Sequence, residues 1–172
     1  MPEFLTKITS NFGNTKILTN KDSLVDWDGY DELDKKGAIK YFSRKDRDNV
    51  LNHLREGGAY YLEEWCVLNK VALSYCAYAY LKHFIETLDS EEPDEEFVIF
   101  FIAQLYQVVY MHKGSPFTSI QTEIIKDLVL YAVQKAKTVK YFEYFSEDIS
   151  ENGQQFFNEL SKYSSVVYGT EY

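Results

Sequence analysis

The residues that come nearest to a chemical pattern are the run Asp26-Trp27-Asp28-Gly29-Tyr30-Asp31-Glu32, in which carboxylates surround a glycine. A calcium loop needs oxygen ligands at fixed steps, a glycine at its sixth position for the sharp turn, and a bidentate glutamate at its end. Aligning Gly29 with that glycine puts Leu24 at the first ligand position and Lys35 at the glutamate position. Neither binds a cation, so the run reads as a solvated acidic turn. His53, His83 and His112 lie far apart, and none belongs to an HExxH or Cys/His ligand spacing. His83 and Glu86 share a helix face, but a diiron-type motif places the glutamate first and needs further inward glutamates. The two read as an i,i+3 surface pair.

Phosphate-cradling glycine loops and the GxSxG nucleophile elbow are both absent, and Gly57-Gly58 follows a helical pattern where a phosphate loop follows a strand. Cys66 and Cys76 are the only cysteines. On a single helix, ten residues at about 1.5 Å each separate them by roughly 15 Å, beyond the ~7 Å that a disulfide spans. Their neighbours are apolar, so both read as buried free thiols of a reducing compartment. No catalytic, cofactor-binding or metal-ligating residue is assigned, and the chain is expected not to be an enzyme.

Charge and aromatic content are the features left to interpret. The net charge is −9. Residues 1–58 balance ten Lys+Arg against ten Asp+Glu, whereas residues 59–172 hold eight against seventeen, so the later part carries the whole excess. Two acidic clusters stand out there: Asp89, Glu91, Glu92, Asp94 and Glu95, flanked by Glu86 and Glu96, and a later set of Glu147, Asp148 and Glu151, preceded by Glu143. A negative surface repels nucleic-acid phosphates and attracts basic proteins. The 15 Tyr, 12 Phe and 2 Trp make up 17% of the chain. Tyrosine couples apolar area to a polar tip at low entropic cost, which suits interfaces. Tyr75, Tyr78, Tyr80, Tyr106, Tyr110 and Tyr131 have helical positions that could finish a core, but fifteen tyrosines are too many for all to be interior.

The elements that must position these residues are mostly helices. Residues 1–42 hold short apolar pieces between turn signals and read as a loop-rich segment with one or two short strands, at 16–19 and 38–42. Ser43 can cap a helix over 44–56, ended by Gly57-Gly58. Residues 59–88 lack Gly and Pro and keep helical spacing on two faces, the pattern of a long central helix. Pro93 with Asp94, Glu95 and Glu96 suits the first turn of a helix running to about Lys113. Thr118 with Gln121 forms a capping box for a helix to about Lys137. Residues 138–145 fit strand or helix, Ser146 or Ser150 can cap a last helix to about Tyr163, and 164–172 is a tail.

At 172 residues with 45% hydrophobic composition the chain reads as one domain, a mainly α bundle with its helical core over 43–163. No stretch approaches the roughly 20 apolar residues of a membrane span, and no secretory leader is visible, so a cytoplasmic location away from membranes is expected. Small, acidic, aromatic-rich helical chains without catalytic motifs resemble, as a class, the immunity proteins that neutralise basic toxins. The expectation is a non-catalytic inhibitor, an immunity protein against a basic bacterial nuclease toxin. It would bind its partner through Asp89, Glu91, Glu92, Asp94, Glu95, Glu147, Asp148 and Glu151, and use no cofactor, metal or nucleic acid. A helical adaptor or regulatory subunit binding through an aromatic face is the alternative, and an enzyme with an unrecognised site the third class.

Overall fold

The computed structural model describes residues 2–12, 24–25, 32–57 and 63–164. They form helices α1 (Pro2–Phe12), α2 (Glu32–Phe42), α3 (Arg47–Gly57), α4 (Glu63–Cys66), α5 (Lys70–Leu88), α6 (Glu95–Met111), α7 (Ser119–Thr138) and α8 (Ser146–Ser164), with a 3-10 turn at Lys140–Phe142. Among the described residues there is no strand, only an isolated antiparallel bridge between Val25 and Leu68. The fold is mainly α, a helical bundle around one continuous apolar cluster that draws on helices from α1 to α8.

The N-terminal segment differs from its loop-and-strand reading. Residues 38–42 are the end of α2, not a strand. Ala38 and Phe42 both face the core, at 0% and 5% exposure, while Lys40 between them is exposed; a strand would put all three on one face, whereas a helix returns to the same face after four residues and turns the second away. In α1, Ile8 and Phe12 repeat that interval and are likewise buried. The suggested strand at 16–19 and the acidic run 26–31 lie outside the described residues.

Local capping explains where the helices begin. Ser43 does not cap α3; its amide donates to the Ile39 carbonyl at 3.1 Å, finishing α2. Asp46 caps instead, its Oδ1 accepting from the Asn49 amide at 2.8 Å, so α3 starts at Arg47. Between them Arg44 adopts a left-handed φ of 59°. The helix expected over 59–88 is interrupted: α4 ends at Cys66, and α5 starts at Lys70 after Asn69. The Asn69 side chain accepts from the Ala72 amide at 2.9 Å, and its own amide donates to Leu24 O at 2.9 Å. Short polar side chains such as Asn compete for backbone groups and favour caps over helix interiors. Asp94 accepts from Phe97 N at 3.0 Å as the cap of α6, which leaves Pro93 just outside the helix. The Thr118–Gln121 capping box is present, and Gln121 Nε2 also donates to Asn11 O at 2.8 Å, tying the start of α7 to the end of α1.

The core is built on aromatic stacking. The Trp65 ring of α4 lies 4.7 Å from Tyr80 of α5 and 5.4 Å from Phe101 of α6, stacked on both. Such pairs add about 0.5–1.5 kcal/mol each beyond the area they bury. Helix α8 packs on α6 and α7. Asn152 Nδ2 donates to Ile99 O at 3.2 Å, and a Cβ placed on Gly114, just past α6, would meet Tyr163 Cβ at 3.5 Å. These contacts pair early α6 with early α8 and late with late, so the two helices run parallel and begin at the same end of the bundle.

Candidate functional site

The parallel pairing of α6 and α8 brings the two acidic clusters to one end. Asp94, Glu95 and Glu96 open α6, while Glu147 and Asp148 open α8 with Glu151 one turn on. Carboxylates are favoured there by the partial positive charge of unpaired amides, worth about 0.3–1 kcal/mol each. Glu91, Glu92, Asp94, Glu96, Glu147, Asp148 and Glu151 are exposed, and Glu95 is half-buried. None of the eight makes an ion pair among the described residues.

Asp89 stands apart from the other residues assigned to the partner surface. Its side chain is only 8% exposed. It binds Lys135 and accepts from Tyr131 Oη at 2.9 Å, linking the end of α5 to α7. Both donors reach Oδ1, while Oδ2 is buried with no hydrogen-bond partner among the described residues.

A groove of about 630 Å³ opens beside the acidic end, lined by the end of α3, by α5, and by Glu92, Asp94 and Glu96. Arg55 crosses it to Glu86 as a fork, Nη2 to Oε1 at 2.8 Å and Nε to Oε2 at 3.1 Å. Glu86 is therefore the partner of Arg55 and does not pair with His83 as its spacing suggested. His83 packs edge-on against Phe97 at 4.5 Å, and its Nδ1 is buried without a hydrogen-bond partner among the described residues. Burial pushes the imidazole below its ordinary pKa, against the opposing pull of Glu86.

Aromatic side chains border this end. Tyr144, 88% exposed, and Tyr141, 44% exposed, immediately precede α8, and Phe100, 50% exposed, lies one turn beyond Glu96 on α6. Of the tyrosines with helical positions, Tyr75 and Tyr80 are buried, Tyr78, Tyr106 and Tyr131 are half-buried, and Tyr110 is exposed. Arg55, Phe100 and Tyr144 were not singled out in the sequence. Phe100 sits inside an unbroken apolar run, and only the four-residue step from the polar Glu96 hints at its outward face.

Cys66 and Cys76 are buried free thiols, on α4 and α5 and not on one helix as the spacing argument assumed. Burial raises the Cys76 pKa far above the ordinary thiol value, while Cys66 Sγ lies against the side-chain oxygen of Gln104. Among the described residues no three His, Cys, Asp or Glu side chains converge on a metal position, and no helix is long and apolar enough to cross a membrane. No known protein family, curated protein or solved structure matches this chain.

Proposed function

We propose that this protein is an acidic, non-catalytic inhibitor that docks a basic protein on the end of the bundle where α6 and α8 begin, in the manner of an immunity protein that neutralises a basic nuclease-type toxin. The observation that carries the reading is the convergence of unpaired carboxylates from two separate stretches of chain, rimmed by Tyr141, Tyr144 and Phe100. Unpaired rim charges steer encounter and set salt sensitivity, and exposed aromatics supply contact area once the partner arrives. Asp89 drops out of the docking set, and Glu96 joins it.

The test is capture of partners from the native host, with captured proteins ranked by isoelectric point. The parent should retain a basic protein whose binding weakens steeply with ionic strength. Replacing Glu92, Glu96 and Glu151 by Lys should lower that affinity at least tenfold at low salt while the helical circular dichroism stays unchanged. Stoichiometric inhibition of the captured protein completes the assignment. A partner held equally by the charge-reversed variant and at high salt refutes docking at the acidic end. Such a result favours the adaptor reading, whose support is the exposed α6 stripe of Phe100 and Tyr110.

A further inference from the structure

Helix α8 carries the chain's only Asn-Gly pair, Asn152-Gly153. Packing calls for both residues where they stand. Asn152 Nδ2 reaches the Ile99 carbonyl of α6 at 3.2 Å, and a Cβ on Gly153 would lie 2.9 Å from Val133 Cγ2 of α7. The helix therefore meets one neighbour through a side-chain amide and the other through the lack of a side chain. The same pair is chemically labile. A backbone nitrogen that follows asparagine can attack the side-chain Cγ and close a five-membered ring, and glycine puts no Cβ in the way.

The folded helix blocks that attack twice. Within a helix the Gly153 amide donates to the Ile149 carbonyl, and bringing its nitrogen onto Cγ needs a rotation about the Asn152 ψ that breaks this bond. The Asn152 amide is also held on Ile99. Ring closure thus waits for the first two turns of α8 to open, and their hold on the bundle is slight. From 146 to 153 only Ile149 and Gly153 are buried, while Glu147, Asp148 and Glu151 are exposed. Glu147 and Glu151 are like charges four residues apart, which weakens a helix. The Ser150 hydroxyl donates to the Ser146 carbonyl at 2.7 Å, a back-bond that loosens the turn. Helix ends with so few buried contacts open locally while the rest of the fold stays closed.

We propose that Asn152-Gly153 is a self-modification site, gated by opening of the start of α8, and that its conversion releases α8 from α6. The Gly153 nitrogen gives up its proton and bonds to Asn152 Cγ, the Cγ–Nδ2 bond breaks, and ammonia leaves. Water then adds to either carbonyl of the ring, giving aspartate, or isoaspartate with the backbone running through the side chain. The net change is the amide hydrolysed by water, with ammonia released. Either product is an anion where a donor stood. Aspartate turns an acceptor toward the Ile99 carbonyl and stands four residues from Asp148, a repulsive spacing. Isoaspartate adds a methylene to the backbone and breaks the helical ladder. Refolding does not reverse either change, so the site records the time that α8 has spent open.

The test is incubation of the whole protein at mildly alkaline pH, with peptide mapping by mass spectrometry for aspartate and isoaspartate at each asparagine. The parent unfolded in urea sets the free rate at Asn152, and the folded parent should convert about a hundredfold more slowly, since the rate follows the open population. Ile149→Ala, which removes the buried anchor, should speed conversion of the folded protein by about tenfold or more. Ser150→Ala, which gains helix propensity and loses the back-bond, should slow it about twofold. Asn158, in the same helix but followed by Glu159, should stay intact throughout. Hydrogen exchange then reads the product: Asn152→Asp should raise exchange over 146–153 by about tenfold, and more than Asn152→Ala, with α5 and α7 unchanged. Conversion of the folded parent at the unfolded rate, no conversion at Asn152 even in urea, one rate for the parent and Ser150→Ala, or an Asn152→Asp variant that exchanges like the parent would each overturn the proposal.

Discussion

Asp89 separates the demands of the fold from those of a partner. It caps the end of α5, its side chain is 8% exposed, and it holds Lys135, itself 20% exposed, together with the Tyr131 hydroxyl at 2.9 Å. Truncating one member of a fully buried ion pair costs about 3–5 kcal/mol. Lys135 keeps enough exposure to turn toward water once abandoned, which lowers its share to about 1–2 kcal/mol. The stranded Tyr131 hydroxyl adds the loss of a hydrogen bond to a charged acceptor, about 1.5 kcal/mol. Both donors reach the same Oδ1, so the contributions overlap, and Asp89→Ala should cost about 2–3 kcal/mol. Tyr131→Phe should cost about 1 kcal/mol, and in the Asp89→Ala background close to nothing. Urea unfolding followed by circular dichroism measures all three variants, with the midpoint falling and the slope unchanged. A loss below about 0.5 kcal/mol in Asp89→Ala, or weakened partner capture by a variant of undiminished stability, refutes the internal role.

Further outcomes follow from named contacts. A methyl group added at Gly153 would sit 2.9 Å from Val133 Cγ2 where α8 crosses α7. Overpacking of ~1–3 kcal/mol then outweighs the ~1 kcal/mol of helix propensity gained. Gly153→Ala should therefore destabilise the parent and stabilise a Val133→Ala background, a reversal that paired thermal melts detect. His83 has its pKa lowered by burial, so the fold favours the neutral ring. The stability it contributes is present above the unfolded value near 6.5 and is lost as pH falls through the folded value. Urea midpoints between pH 6.5 and 5 should decline in the parent and flatten in His83→Gln; parallel slopes would contradict this. Tyr75 and Tyr131 are raised, chiefly by burial. Stability should hold below pH 10 and fall above it as the unfolded phenols ionise first, a decline that Tyr131→Phe should lessen.

What the sequence disclosed about the fold depended on whether the signal was local. The helix starts at Asp94 and Thr118, and the stops near Leu88 and Met111, rest on caps and breakers that act within a few residues, and they stand within two positions of expectation. The break at Asn69 was equally local, but its cap was hidden inside a run with no Gly or Pro. Helix α2 is obscured by weak amphipathicity, with Lys35, Lys36 and Gly37 interrupting the apolar face that Ala38 and Phe42 resume; α1 has no such excuse, since its apolar face is well defined. The acidic residues were legible as charge, but their grouping depends on the parallel packing of α6 and α8, which no local pattern encodes. For the same reason Asp89 looked like its neighbours: its partners Tyr131 and Lys135 lie more than forty positions away.

The aromatic cluster around Trp65 also makes the protein an optical instrument. The indole is fully buried against Tyr80 and Phe101, and its Nε1–H has no acceptor among the described residues. An excited indole in such surroundings finds few dipoles able to reorient, so its emission stays at short wavelength and resists quenching by iodide. Because α4, α5 and α6 each contribute one ring, the emission changes as soon as any of the three helices moves away. With Trp27→Phe removing the only other tryptophan, a single wavelength reads the integrity of the centre of the bundle while partners are added at its acidic end.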